Sequence, residues 1–184
     1  VIVFIRWLIF RLEFGAGMIK LRGDTAWRNL TALYYHHETQ PMPNPFSRWV
    51  HLLPRWFHRS EVLGNHFAQL VVPFFLFAPQ PIASVAAAIV ILTQLWLVFS
   101  GNFAWLNVIT IVLAFSAVGN GAAHAVVPAI AAAGTSADTP LWFLVLVLTV
   151  TAVLVVLSYW PLRNLFARRQ LMNASFNPLH LVNA

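Results

Sequence analysis

The sequence predicts an all-α protein: a multi-pass transmembrane helix bundle of about five spans with a long interfacial amphipathic loop. Hydrophobic residues make up 60% of the 184 positions and charged residues only 9%, whereas soluble domains carry about 25% charged residues. Five apolar runs approach the roughly 20 helical residues that cross a bilayer. Because these runs lack the alternation of barrel strands, pairing of the backbone in lipid requires helices.

The five predicted spans follow one another within a single membrane domain, residues 1–184. They cover residues 1–19, 62–78, 82–99, 103–118 and 141–160. Only residues 100–102 join the third and fourth spans, which predicts an antiparallel hairpin. The last span is the clearest, because Pro140 suits the first helical position and Tyr159 and Trp160 suit an interfacial aromatic belt.

Three further segments complete the predicted organisation. Residues 20–60 form the interfacial loop, and residues 119–139 form a second loop. Five apolar residues of the first loop recur at helical spacing: Phe46, Trp49, Val50, Leu53 and Phe57. They predict an amphipathic helix lying on the membrane and restarting at Pro54. Residues 161–184 form a basic tail that leads towards a missing C-terminal domain, and we expect the chain to be a fragment of a longer protein.

The charge balance and the cysteine count exclude several kinds of function. Eleven Lys and Arg against five Asp and Glu give a net charge of +6. In so apolar a chain this excess predicts contact with membrane lipids and not with nucleic acid. The sequence contains no cysteine, which excludes disulfides, thiol catalysis and cysteine-based zinc sites within it.

Ionisable groups in the first span are unexpected, because a charge in the hydrocarbon core costs about 2.5–3.5 kcal/mol. Two polar stripes stand out: Arg6, Glu13 and Lys20 on the first span, and Glu61, Asn65 and Gln69 on the second, with His66 beside them. Gly17 shares the first stripe and would permit a close helix approach. We expect the stripes to face each other as a buried polar seam, which is either structural or a functional site.

The start of the interfacial loop supplies the other candidates for client binding or for the structural seam: Arg22, Asp24, Trp27, Arg28, His36, His37 and Glu38. The consecutive His36, His37 and Glu38 do not predict a metal site, because neighbouring side chains point in different directions; convergence with other histidines is the alternative. Neither the HExxH spacing nor the GxSxG elbow occurs in the sequence. We therefore predict no metal and no cofactor.

Four stretches resemble the lipase maturation factor family: FRLEFGAGMIKLRGD, WRNLTALYYHHETQPMPNP, WFHRSEVLGNHFAQLVVPFFLFAP and GNFAWLNVITIVL. The tail LMNASFNPLHLVNA is also similar to that family, and residues 119–139 are the least similar. The resemblance implies a multi-pass membrane protein without catalytic activity. Animal members lie in the endoplasmic reticulum membrane and help secreted lipases to mature. The alanine-rich helices and the absence of cysteine indicate a bacterial member in the plasma membrane.

A more distant similarity gives an alternative function. The stretch AGMIKL, followed by a tryptophan, is similar to vitamin K-dependent carboxylases, in which the lysine acts as a base. Lys20 matches that lysine, although the spacing to Trp27 is longer here. The leading hypothesis is a chaperone-like maturation factor for an exported lipase or similar client. The alternatives are a membrane enzyme that uses Lys20 as base, and a structural component of an envelope membrane complex.

Two arguments about sidedness disagree. In a five-span bundle, residues 20–60 and 161–184 lie on the same side and carry most of the basic residues, so the positive-inside rule places them in the cytoplasm. The family resemblance places them in the lumen, which corresponds to the outside of a bacterium. We expect the extracytoplasmic location, because a secreted client must be met there.

This sidedness is testable with one substitution, Asn173→Cys, in the full-length protein. A membrane-impermeant thiol reagent should label the cysteine on intact cells, because the tail faces outwards. If the cysteine is labelled only after lysis, while a known external cysteine is labelled on intact cells, the tail lies in the cytoplasm instead.

Overall fold

The computed structural model describes residues 2–37, 39, 44–101, 104–126 and 140–166, and every regular element within them is helical, as predicted. In chain order the elements are α1 (Ile2–Gly23), α2 (Thr25–Arg28), α3 (Leu33–His36), α4 (Ser47–His51), α5 (Arg55–Leu70), α6 (Val72–Phe75), α7 (Ile82–Ser100), α8 (Trp105–Ala114) with a 3₁₀ turn (Phe115–Ala117), α9 (Asn120–Val126) and α10 (Leu141–Leu165). They divide into two units, Val1–Ala133 and Gly134–Ala184.

Two of the described helices are long and apolar enough to cross a bilayer. They are α7, with a mean hydropathy of 2.3, and α10, with a mean hydropathy of 2.8. Helix α1 has 22 residues, but its ionisable groups lower its apolar character, and α8 has only 10 residues. The structure therefore supports two of the five predicted spans, and the other three remain predictions.

The second predicted span does not form as one helix. Helix α5 begins at Arg55, directly after the extended Pro54, and continues through the predicted boundary at residues 60–62. It ends at Leu70, and α6 begins at Val72 with Pro73 in its first turn. A proline has no backbone N–H and its ring displaces the carbonyl four residues earlier, so the break at this position has a local cause.

The predicted interfacial helix is divided between α4 and the first turns of α5. Its largest apolar side chains point outwards: Trp49 is 72% exposed, Leu52 is 70% exposed and Trp56 is 68% exposed. Exposed tryptophans are typical of the membrane interface, where an aromatic ring contacts both lipid and water. Within the predicted loop 119–139, residues Asn120–Val126 form α9 instead.

The core of the first unit lies where α1, α6, α7 and the 3₁₀ turn meet. Ile9 and Leu76 are fully buried, and small residues of α7, including Ala83 and Ala87, are buried against them. Small side chains permit close packing of helices where lipid supplies no hydrophobic driving force between them. Helices α1 and α7 both pack against α6, α8 and the 3₁₀ turn, and this packing sets the positions of their polar residues.

The second unit consists, within the described residues, of helix α10. Its 25 residues include Pro161 near the C-terminal end. The guanidinium of Arg163 lies 5.4 Å from the centre of the Trp160 ring. A basic residue on an aromatic ring at the end of an apolar helix is typical of the membrane interface.

Helices α1 and α5 approach each other closely at Gly17. A Cβ atom added at Gly17 would lie 2.7 Å from Cδ2 of Leu70 and 3.1 Å from Cβ of Gln69. A Cβ atom added at Gly15, two residues earlier on the same helix, would meet nothing within 4 Å. Gly17 is therefore the position at which α5 rests against the backbone of α1.

We predict that Gly17→Ala is less stable than Gly15→Ala. Both substitutions gain the same helix propensity, so this gain cancels in the comparison. The difference reports the overpacking at Leu70, which we expect to be about 1–3 kcal/mol. Thermal unfolding of the detergent-solubilised protein measures it. Equal stability of the two variants would show that α1 and α5 do not meet at Gly17.

Candidate functional site

A cavity of about 670 Å³ lies between α1, α5 and α7, and the segment that contains α2 and α3 contributes to its wall. The lining includes residues of the predicted first stripe, the predicted second stripe and the predicted loop, together with an aromatic residue of α7. These residues are Lys20, Glu61, Trp27, His36, His37 and Trp96. The cavity therefore lies where residues from three separate parts of the chain converge, and it is the candidate functional site.

Lys20 holds the α1 side of the cavity against α5. Its Nζ atom donates hydrogen bonds of 2.6 Å to Oδ1 of Asn65 and 2.9 Å to Oε1 of Gln69. The same ammonium lies 4.7 Å from the centre of the Trp27 ring. Two amide oxygens and an aromatic face thus surround the positive charge and partly replace its water shell. The structure therefore brings Lys20 of the first predicted stripe into contact with Asn65 and Gln69 of the second.

A second polar network lies deeper between the helices. Glu13 is 3% exposed, and Nε2 of Gln94 donates a hydrogen bond to its Oε1. Nδ2 of Asn107 donates in turn to Oε1 of Gln94, at 2.8 Å. One carboxylate and two amides therefore connect α1, α7 and α8. Sequence reasoning missed Gln94 and Asn107, although an amide inside an otherwise apolar run was the available signal.

Glu61 does not join Asn65 and Gln69 at Lys20. Its Oε1 accepts a hydrogen bond of 2.6 Å from the indole Nε1 of Trp96 on α7. A step of four residues advances about 40° around an α-helix, so Glu61 and Gln69 lie about 80° apart on α5. The predicted second stripe is therefore divided: its C-terminal part faces α1 and Glu61 faces α3 and α7.

Two buried histidines, His37 and His58, accompany Glu61. Nδ1 of His37 lies 3.0 Å from the carbonyl oxygen of Ser100, and Nε2 of His58 lies 3.2 Å from that of His51. Burial, followed by the nearby His58, lowers the pKa of His37 to about 4, so this imidazole is neutral at pH 7. His58 was not among the sequence candidates, although Glu61, three residues later on the same helix, was the available signal.

His36 and His66 meet at Trp27. The rings of His36 and Trp27 lie 5.7 Å apart, centre to centre, and Nε2 of His66 lies 3.1 Å from the Trp27 carbonyl oxygen. Burial, and then the positive charge of Lys20, lower the pKa of His36 below its ordinary value. Trp27 thus links the loop to α5, and His36 brings a second imidazole to the cavity wall.

The other predicted site residues lie away from the cavity lining. Arg6 donates two hydrogen bonds, both of 3.3 Å, to the carbonyl oxygen of Ser116. Asp24 caps α2 by accepting a hydrogen bond from the backbone N–H of Ala26, which is the ordinary role of an N-cap aspartate. Arg22 is half-buried and Arg28 is exposed. Glu38 lies outside the described residues.

The comparisons with known proteins agree on one family. The sequence model described as "Lipase maturation factor transmembrane domain" matches residues 1–125. The chain is 41% identical to Lipase maturation factor 1 of Bos taurus and 39% identical to that of Homo sapiens, in each case over 97% of the chain. It is 40% identical to Lipase maturation factor 2 of Gallus gallus over 61% of the chain.

The chain spans about a third of the length of two of the curated relatives it matches, 35% for the Bos taurus protein and 34% for the Homo sapiens protein. It spans 16% of the Gallus gallus protein. The resemblance predicted from sequence motifs is therefore confirmed. These relatives are animal proteins, so they give no support to the predicted bacterial origin. No solved structure matches the chain.

We predict that Gln94→Leu destabilises the first unit, because it leaves Oε1 of Glu13 and Nδ2 of Asn107 without their partner. Each orphaned buried polar group costs about 1–3 kcal/mol. Thr93→Val is the matched control, since the Thr93 hydroxyl donates only to Ile89 in the same helix, at 2.8 Å; its loss should cost less than about 1 kcal/mol. Thermal unfolding in detergent compares the two. A similar small effect for both variants would contradict a network across three helices.

Proposed function

The chain belongs to the lipase maturation factor family, and from this premise we propose that it is the membrane-embedded part of a maturation or folding factor for an exported lipase or a similar client protein. The observation that carries the proposal is the identity of 41% to a Lipase maturation factor 1 over 97% of the chain. Because this match runs almost from end to end of the chain, it includes the residues that build the cavity between α1, α5 and α7.

The interfacial segment, residues 20–60, is the proposed working surface. It rests on α5 through Trp27 and His66 and presents the exposed side chains of Trp49 and Leu52. An exposed apolar surface at the membrane interface suits two occupants, the lipid acyl chains next to the headgroups and the apolar segments of an incompletely folded client. We propose that the segment holds such client segments next to the membrane until the client has buried them itself.

The contacts of Lys20 favour a structural role over a catalytic one. A lysine acts as a base only after it has lost its proton, but the two amide oxygens of Asn65 and Gln69 accept hydrogen bonds from its Nζ atom. Acceptors at this distance stabilise the protonated ammonium. The positive charge thus joins α1 to α5 and supports the cavity.

The proposal is tested by complementation. Cells that lack their own lipase maturation factor would express the full-length protein together with a secreted lipase. We expect the activity of the lipase per unit of lipase protein to rise, while the amount synthesised stays constant, because maturation acts after synthesis. Unchanged activity per unit of lipase protein with several lipases, although the factor is present in the membrane, would contradict the proposed function.

The role of Lys20 is tested in the same cells. Lys20→Arg keeps the positive charge and the hydrogen-bond donors and should retain most of the maturation activity, whereas Lys20→Met should lose much of it. Arginine keeps its proton under all physiological conditions. Loss of activity in Lys20→Arg, with wild-type protein level and thermal stability, would therefore favour a membrane enzyme that uses Lys20 as base.

A further inference from the structure

Three side-chain atoms near the cavity converge without a hydrogen-bond partner: Nε2 of His37, Nδ1 of His58 and Oε2 of Glu61. Oε2 of Glu61 lies 3.9 Å from Nε2 of His37 and 3.8 Å from Nδ1 of His58. All three atoms lie within 4.8 Å of one another. His37 is 4% exposed and His58 is 2% exposed, so bulk water does not compensate for the missing partners.

The partners of the remaining atoms indicate which ring nitrogen of each histidine carries a hydrogen atom. A carbonyl oxygen only accepts hydrogen bonds, so Nδ1 of His37 and Nε2 of His58, which face the carbonyls of Ser100 and His51, are the protonated ring nitrogens. The other nitrogen of each ring is then the one available to bind a metal ion, as the uncharged ring nitrogen of a histidine does. Glu61 accepts the indole N–H of Trp96 through Oε1, which leaves its Oε2 facing the two nitrogens.

Three acceptor atoms that point at one another in a buried place repel unless a hydrogen-bond donor or a positive charge lies between them. A proton does not suffice, because separations of 3.8 and 3.9 Å exceed the length of a hydrogen bond, roughly 2.7–3.2 Å. A metal ion bonded at about 2.0–2.2 Å to each atom places the ligand atoms roughly 3.4 Å apart. The observed separations are within about 0.5 Å of that spacing for the two pairs that involve Glu61.

We propose that His37, His58 and Glu61 form a zinc site that joins the C-terminal end of α3 to α5. Two imidazoles and one carboxylate are a ligand set that zinc accepts, whereas calcium and magnesium prefer oxygen ligands alone. Each ligand is also held by a second partner: the Ser100 carbonyl, the His51 carbonyl and the Trp96 indole. Such outer contacts orient the ligands of zinc sites in general.

The site is connected to the cavity through two of its ligands. His37 and Glu61 both line the cavity of about 670 Å³. Zinc with three protein ligands keeps a fourth position for water or for a bound group. We place this fourth position on the side of the cavity, so the metal would both join α3 to α5 and present a Lewis acid to whatever enters the cavity.

The test uses the full-length protein, purified in detergent through an affinity tag without histidine. Elemental analysis should find zinc bound to the wild type. After removal of the metal with a chelator, Co²⁺ should give the visible absorption of a four-coordinate ion with nitrogen and oxygen ligands, and Zn²⁺ should displace it. Zinc should also raise the midpoint of thermal unfolding, because it binds the folded state alone.

Four variants locate the metal. His37→Gln, His58→Gln and Glu61→Gln should each weaken zinc binding about a hundredfold or more, since even outer-contact substitutions cost about 10–100-fold. His66→Gln is the matched control. Like His58, His66 lies on α5 with Nε2 at a carbonyl oxygen and Nδ1 without a partner, but it is not part of the cluster. It should bind zinc as the wild type does.

Several results would overturn the proposal. They are a wild-type protein without zinc and without the cobalt absorption, zinc binding that survives in all three cluster variants, and retention of iron instead of zinc at the cluster. The thermal response to added zinc separates loss of a ligand from loss of the fold: a cluster variant that still unfolds cooperatively but no longer responds to zinc supports the site.

Discussion

The contact between α1 and α5 at Gly17 is the constraint on which the rest of the first unit depends. The absence of a side chain at this position lets Leu70 and Gln69 approach the backbone of α1. Only at this distance can Lys20 reach Asn65 and Gln69 with hydrogen bonds of 2.6 and 2.9 Å. A wider separation would leave a buried ammonium facing two amides that it could not reach, at a high cost in a membrane.

The position of α5 in turn determines what its other faces meet. With Gln69 turned towards α1, the twist of the helix turns Glu61 about 80° away, towards α3 and α7. There it accepts the Trp96 indole and faces His37 and His58. Helix α5 therefore contributes to two polar groups on different faces. One is the hydrogen-bonded seam of Lys20, Asn65 and Gln69, and the other is the cluster of His37, His58 and Glu61.

The seam could be predicted from the sequence, and the cluster could not. A repeat of seven residues on α1 and of four residues on α5 gives the faces of Lys20, Asn65 and Gln69 directly, since both repeats approximate whole helical turns. His37, by contrast, follows the last residue of α3, within a loop whose path depends on its contacts with Ser100 and Trp27 and not on its own periodicity. The all-helical fold followed from composition, whereas the break at Val71 depended on a single proline inside an apolar run.

The contrast between the two polar groups indicates which of them is functional. Hydrogen bonds within the chain satisfy both the seam and the Glu13–Gln94–Asn107 network, so neither needs a ligand to account for its residues. The cluster keeps three buried atoms without partners, although buried polar atoms in native proteins are almost always paired. Single buried atoms of His51, His66 and Ser116 also lack a partner, but only in the cluster do three such atoms of the described residues lie within 4.8 Å of one another. This convergence supports the proposed binding role of the cluster of His37, His58 and Glu61, whereas hydrogen bonds within the chain account for the residues of the seam.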